Sequence, residues 1–130
     1  MDKPVVLVVD DDVAVGKLLQ VVVERYDGEV FIATNSIEAI AYLQSLKPDL
    51  IILDIMMPGL DGLGLCRMLR EREATKNTYI LIMSARVDME TVGEALDAGA
   101  SDFWSKPVAP DWMQKLRNLL RDVLEKRASS

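Results

Sequence analysis

Histidine is absent from the 130 residues, and cysteine occurs once, as Cys66. Without histidine the chain lacks the commonest neutral-pH proton shuttle and the commonest transition-metal ligand. A single thiol permits no internal disulfide, and with no imidazole beside it there is no Cys–His nucleophile pair; Cys66 is expected to pack inside a helix. No stretch approaches the roughly 20 apolar residues of a membrane helix, and Met1-Asp2-Lys3-Pro4 leads into a strand-like segment without a signal-peptide layout. A soluble, cytoplasmic protein without membrane association is expected. Basic residues are the minority, 15 against 21 acidic ones, for a net charge of -6. That balance disfavours direct binding of nucleic acid, where attraction comes from neutralising phosphates. Any chemistry must therefore rest on carboxylates, hydroxyls and lysine.

Half of the chain is apolar, enough for one continuous core, so a single domain over residues 1–130 is expected. Five short apolar runs alternate with five amphipathic ones, the pattern of βα units around a parallel sheet. Strands are predicted at Val5–Val9, Val30–Thr34, Leu50–Leu53, Tyr79–Met83 and Phe103–Ser105. Runs such as Val5–Val9 and Leu50–Leu53 are apolar on both faces, as strands covered by helices on each side must be. Helices are predicted near residues 13–26, 36–46, 62–73, 88–98 and 110–127. Asn35 and Glu38 have capping-box spacing, Gly99 falls where a helix end favours a left-handed residue, and Pro110 suits a first helical turn. The last helix carries Leu116, Leu119, Leu120, Val123 and Leu124 on one stripe, which docks it on the sheet.

Polar residues gather at the carboxyl ends of the predicted strands: Asp10, Asp11 and Asp12 after the first, Asp54 after the third, Ser84 after the fourth, Lys106 after the fifth. In an open α/β sheet that edge is where ligands bind. Singly, each residue has a plain explanation: a strand-end Asp is most often a turn residue or helix cap, and a lone lysine is most often solvated. Their joint occurrence at one edge favours a site. Two carboxylates about 4 Å apart repel by roughly 4 kcal/mol at an effective dielectric near 20, so a cation must offset them. An all-oxygen set suits a hard divalent ion, magnesium best, and Lys106 adds a fixed charge. Metal plus lysine is what phosphoryl transfer needs, with Asp54 the candidate nucleophile and Ser84 and Lys106 the candidate partners of phosphoryl oxygens.

These residues resemble the receiver domain of response regulators in two-component signalling, from Val5 to about Leu124. Val8-Val9-Asp10-Asp11-Asp12 is similar to the family's acidic pair with a third acid after it. Leu53-Asp54-Ile55-Met56-Met57-Pro58-Gly59-Leu60-Asp61-Gly62 is similar to its phosphoacceptor strand and loop, Met83-Ser84-Ala85 to its hydroxyl segment, and Lys106-Pro107 to its lysine and proline. The resemblance implies a doubly wound, flavodoxin-like α/β fold with five helices and strand order 2-1-3-4-5. It implies phosphorylation of Asp54 by a sensor histidine kinase or phosphotransfer protein, as a stoichiometric acceptor and not an enzyme. Magnesium, or manganese in its place, is then held by Asp10, Asp11, Asp54 and the main-chain carbonyl of Met56. The same resemblance assigns switching to Ser84 and Phe103, a cis bond to Lys106-Pro107, and output to the face of the fourth helix, fifth strand and fifth helix, through a homodimer or another partner. Residues 110–127 are a natural start for a linker to an effector domain. Asp12, Met56 and Arg86 depart from the family's commoner flanks and bear on the lifetime of the phosphoryl group.

Three alternatives remain open at this point. A haloacid-dehalogenase-type phosphatase would map its motif on Asp10, Asp12 and Ala14, where alanine does not fit; a flavin module would need a phosphate loop where the three aspartates stand. A degenerate receiver used only for binding is disfavoured by the intact Asp11, Asp54, Ser84 and Lys106.

Overall fold

The computed structural model describes residues 3–56, 62–106 and 110–129. Ten elements alternate along them: β1 (Val5–Val9), α1 (Val13–Arg25), β2 (Glu29–Ala33), α2 (Ser36–Leu43), β3 (Leu50–Leu53), α3 (Gly62–Glu71), β4 (Tyr79–Ser84), α4 (Met89–Asp97), β5 (Asp102–Ser105) and α5 (Trp112–Ser129). The strands form one parallel sheet in the order β2-β1-β3-β4-β5, so the expected architecture is present. The order reverses between β1 and β3, the two strands that carry the acids.

Strand residues alternate between two cores because side chains point to opposite faces with a period of two. Leu7, Val9, Ile51, Leu53, Ile80 and Ile82 face α2, α3 and α4, where Cys66 is fully buried as expected. Val6, Val8, Leu50, Ile52, Leu81 and Met83 face α1 and α5. Leu116, Leu119, Leu120 and Val123 dock as the α5 stripe predicts, while Leu124 is half-buried.

Element ends shift by a few residues, each for a local reason. Pro110 lies two residues ahead of α5 and not in its first turn, because the carbonyl of Asp111 accepts the first helical bond, from Lys115 N–H at 3.1 Å. The capping box on α2 is displaced: Asn35 Oδ1 accepts from Glu38 N–H at 2.9 Å, but Glu38 Oε1 reaches back to the Thr34 N–H and hydroxyl, at 2.7 and 2.6 Å. Asp88, expected inside α4, is its N-cap. Asp102 opens β5, its Oδ1 accepting from Phe103 N–H at 2.8 Å and its Oδ2 from Trp104 Nε1 at 3.1 Å.

At the amino edge of the sheet, Asp49 accepts from Val5 N–H at 2.8 Å and from Arg127 Nη1 at 2.8 and 2.9 Å, tying the end of α5 to β1. Gly99 has φ +105°, the left-handed conformation expected after α4, and its carbonyl accepts from Arg70 Nε at 2.7 Å. The same guanidinium binds Thr78 O at 2.6 Å and Ser101 Oγ at 3.1 Å, so Arg70 joins the turns that precede β4 and β5. A Cβ at position 99 would stand 2.6 Å from Arg70 Cγ. Gly99→Ala, combining a strained backbone with that collision, is expected to cost about 1–3 kcal/mol. The measurement is the urea midpoint at unchanged slope; a midpoint equal to the parent's would show that the turn accepts a side chain freely.

Candidate functional site

Asp10 and Asp54 are the first residues beyond β1 and β3, and the ladder still holds their backbones: Asp10 N–H donates to Ala33 O at 3.0 Å and Asp54 N–H to Val9 O at 2.9 Å. Each then folds its side chain onto the backbone two residues on. Asp10 Oδ1 accepts from Asp12 N–H and Asp54 Oδ1 from Met56 N–H, both at 2.9 Å. Ser84 at the end of β4 repeats the turn, its Oγ accepting from Arg86 N–H at 3.1 Å. Such side-chain turns are the usual use of Asp and Ser at strand ends. Here they also fix each free oxygen in place.

The free oxygens converge. Lys106, whose N–H continues the β4–β5 pairing onto Ser84 O at 2.8 Å, places Nζ 2.5 Å from Asp10 Oδ2 and 3.0 Å from Asp54 Oδ2. Asp11 stands exposed at the mouth, and carboxylate oxygens of Asp10, Asp11 and Asp54 lie within 4.8 Å of one another. Three hard oxygen donors in one cluster, two buried and one open to solvent, fit a divalent cation of the magnesium type. Close approach of backbone is built into the floor: a Cβ on Gly62 would meet Ile55 Cα at 2.6 Å and Asp54 O at 3.1 Å, so glycine lets α3 begin against the acid's own main chain.

One ammonium serves two carboxylates, and the ionisation of Asp10 and of Lys106 reflects that ratio. Burial pushes the Asp10 carboxyl above its ordinary value, and the charge of Asp54 adds to this; the Lys106 and Asp12 hydrogen bonds pull it down without cancelling the rise. Burial opposes the Lys106 charge too, yet hydrogen bonds to both Asp10 and Asp54, with their charges, hold the ammonium above its ordinary value.

Asp10, Asp11, Asp54 and Lys106 are thus brought together as their positions in the sequence suggested. Ser84, wholly buried, lies on the neighbouring strand end. Met56 is placed by its N–H bond to Asp54, with its side chain half exposed. Phe103 is half-buried against the α3 and α4 side of the core. Pro107 and its bond to Lys106, with loop residues 57–61, lie outside the described residues. Asp12, the flanking acid after the pair, caps α1, accepting from Ala14 and Val15 N–H at 3.0 and 3.4 Å. Sequence reasoning did not pair Arg86 with Asp88, whose Oδ2 lies 2.6 Å from Arg86 Nε. The signal was present, an Asp directly before an amphipathic helix and three residues from Thr91, but it was absorbed into the helix itself.

A parallel sheet of this order, with an acid at the ends of β1 and β3, a hydroxyl on β4 and a lysine just beyond β5, defines a two-component signalling receiver. The chain belongs to the response regulator receiver domain family, whose model matches residues 6–125. The transcriptional regulatory protein ResD of Bacillus subtilis is 37% identical over 117 residues, which are 89% of this chain and 48% of ResD. The DNA-binding response regulator MtrA of Mycobacterium tuberculosis is 32% identical over 117 residues, 89% of this chain and 50% of MtrA. The chain spans about half the length of these curated relatives. The crystal structure of a two-component response regulator from Clostridium difficile superposes with a TM-score of 0.85 at 27% identity, over 95% of this chain and 98% of that one. The flavodoxin-like receiver fold implied by the sequence motifs is therefore the fold observed. Among the described residues no helix is long and apolar enough to cross a membrane.

A lysine whose folded value is raised contributes stability that is fully present below its unfolded value of 10.5 and is lost as pH rises through the folded value. The parent should therefore lose its advantage over Lys106→Met as pH climbs above 10.5. Urea midpoints of both proteins across that range measure it. A difference that stays constant would mean that the ammonium charge is not what stabilises the parent.

Proposed function

We propose that Asp54 accepts a phosphoryl group from the phosphohistidine of a sensor histidine kinase or phosphotransfer protein, as a stoichiometric acceptor in a phosphorelay. The observation that carries this reading is the meeting of Asp54 Oδ2 with the Lys106 ammonium inside the three-carboxylate cluster. In the transfer an Asp54 carboxylate oxygen bonds to phosphorus, the phosphorus–nitrogen bond of the donor breaks, and its electron pair stays on the imidazole. No histidine exists in this chain to act as the donor.

Phosphoryl transfer is mainly positioning and neutralisation of charge, and these residues supply both. Lys106 carries a fixed positive charge to the oxygens of the acceptor. Ser84 Oγ already accepts from Arg86 N–H, which leaves its own proton free to donate to a phosphoryl oxygen. Asp10, Asp11, Asp54 and the Met56 carbonyl would hold magnesium, or manganese in its place, which when bound spreads the charge of the phosphoryl oxygens.

Output runs through Ser84 and Phe103 to the α4–β5–α5 face, where it favours a homodimer or a partner. Residues 1–130 act as one receiver, and the last helix, over residues 110–127, is where an effector domain would attach. The net charge of -6 assigns any DNA contact to such an effector and not to this domain.

Incubation with acetyl phosphate and magnesium should add one phosphoryl group by intact mass, and Asp54→Asn should abolish the gain. An equal gain in that variant would move the acceptor elsewhere. Sedimentation with and without a phosphoryl mimic tests the output: a shift toward dimer, or tighter partner binding, is expected from a change of a few kcal/mol between two states. Identical mass and identical partner affinity in both conditions would reject the α4–β5–α5 output.

A further inference from the structure

Arg70, in the last turn of α3, gives its whole donor fork to segments outside its own helix. Nε donates to Gly99 O at 2.7 Å, Nη1 to Thr78 O at 2.6 Å and to Lys76 O and Thr75 O at 3.2 and 3.3 Å, and Nη2 to Ser101 Oγ at 3.1 Å. All five acceptors are neutral. Ser101 Oγ accepts from Ile80 N–H as well, at 3.0 Å, and Ser101 N–H donates to Ile80 O at 2.8 Å. The same turn closes α4, where Gly99 and Ala100 N–H donate to Leu96 O and Ala95 O at 3.0 and 3.1 Å. One half-buried guanidinium therefore joins the last turn of α4 and the starts of β4 and β5 into a single body, at the amino edge of the sheet, opposite the strand ends that carry Asp10 and Asp54.

The other end of α4 is held differently. Its cap, Asp88, accepts from Thr91 N–H at 2.8 Å and from Arg86 Nε at 2.6 Å, but the Arg86 and Asp88 side chains are 57% and 44% exposed, and exposed pairs contribute little. Val87 and Met89 on either side of the cap are 52% and 91% exposed, so they brace this end poorly. It is nevertheless the end coupled to the site, because Arg86 N–H donates to Ser84 Oγ at 3.1 Å. Local stability follows burial and hydrogen bonding, so α4 has a fixed C-terminal end and a yielding N-terminal one, and the yielding end is next to Ser84.

We propose that Arg70 is a positioning residue for the switch, an anchor that fixes the last turn of α4 and the start of β5 so that phosphorylation of Asp54 displaces only the amino end of α4. The inference rests on the phosphoacceptor reading of Asp54. A planar fork meeting five acceptors from three segments resists rotation of any one of them, which a single ammonium on a flexible stem does not. Without the fork, a displacement that starts beside Ser84 passes along the helix into the turn at residues 98–101 and on toward Phe103.

Hydrogen exchange, followed by mass spectrometry on peptides within residues 86–92 and 98–103, tests the anchor in the parent and in Arg70→Lys, with and without magnesium and an excess of acetyl phosphate. Intact mass reports the loading. In the parent, phosphorylation is expected to change exchange by about 10-fold at 86–92 and by less than about 2-fold at 98–103. In Arg70→Lys the loading stays parental, exchange at 98–103 is already about 10-fold faster before phosphorylation, and the phosphorylation response now extends to 98–103. A loaded parent that responds as strongly at 98–103 as at 86–92, or not at all at 86–92, overturns the proposal. So does a lysine variant whose response still stops short of 98–103, or whose exchange rises evenly over both peptides, the mark of a purely global loss of stability. Failure of the parent to gain a phosphoryl group would instead overturn the Asp54 reading on which the inference stands.

Discussion

The ammonium of Lys106 is shared between Asp10 and Asp54, and the arrangement of the carboxyl edge depends on it. Three strand ends that are distant in sequence, after β1, β3 and β5, meet at one nitrogen. Buried ion pairs are poor sources of net stability, since removing two charges from water consumes most of what their attraction returns. With one cation to two acids the account is worse, and burial drives Asp10 toward its neutral form. An apolar edge would fold at least as well. The persistence of such a costly cluster is therefore a statement about chemistry, and the excess negative charge is the feature that makes the edge receptive to a cation.

How such short side chains are aimed follows from one local device used three times. Asp10, Asp54 and Ser84 each close a turn onto the N–H two residues ahead. For the two acids the turn consumes one oxygen and leaves the other pointing into the cluster. Because the backbone at each end is still held by the sheet ladder, the carboxylates are placed by a rigid scaffold and need no flexible loop to position them. The plain explanation of a strand-end Asp, a turn residue, and the functional one are thus both correct, one for each oxygen.

Most of this was legible in the sequence because the information was local. Strands buried on both faces read as unbroken apolar runs, the helix stripe of α5 fixed its docking face, and residues flanking strand ends fall at one edge whatever the loop details. What escaped was the choice between near-equivalent local bonds. Glu38 prefers Thr34 to Asn35, and the helical ladder of α5 opens on Asp111 and not at Pro110; both choices turn on a residue's exact rotation, which spacing does not encode. The bridging of distant turns by Arg70 was equally hidden, because it joins segments 29 residues apart to Gly99 with no periodic signature.

The outer strand β5 carries a last consequence. Its leading carboxylate occupies the amide of Phe103 and the indole of Trp104, and Lys115 lies 4.6 Å above that ring. An open sheet margin is ordinarily a template on which another chain can add a strand. Here that margin is four residues long, begins with an acid and has one of its amides already satisfied from within. Growth of the sheet by lateral addition is thereby discouraged, and association at this end of the molecule falls to side chains meeting face to face.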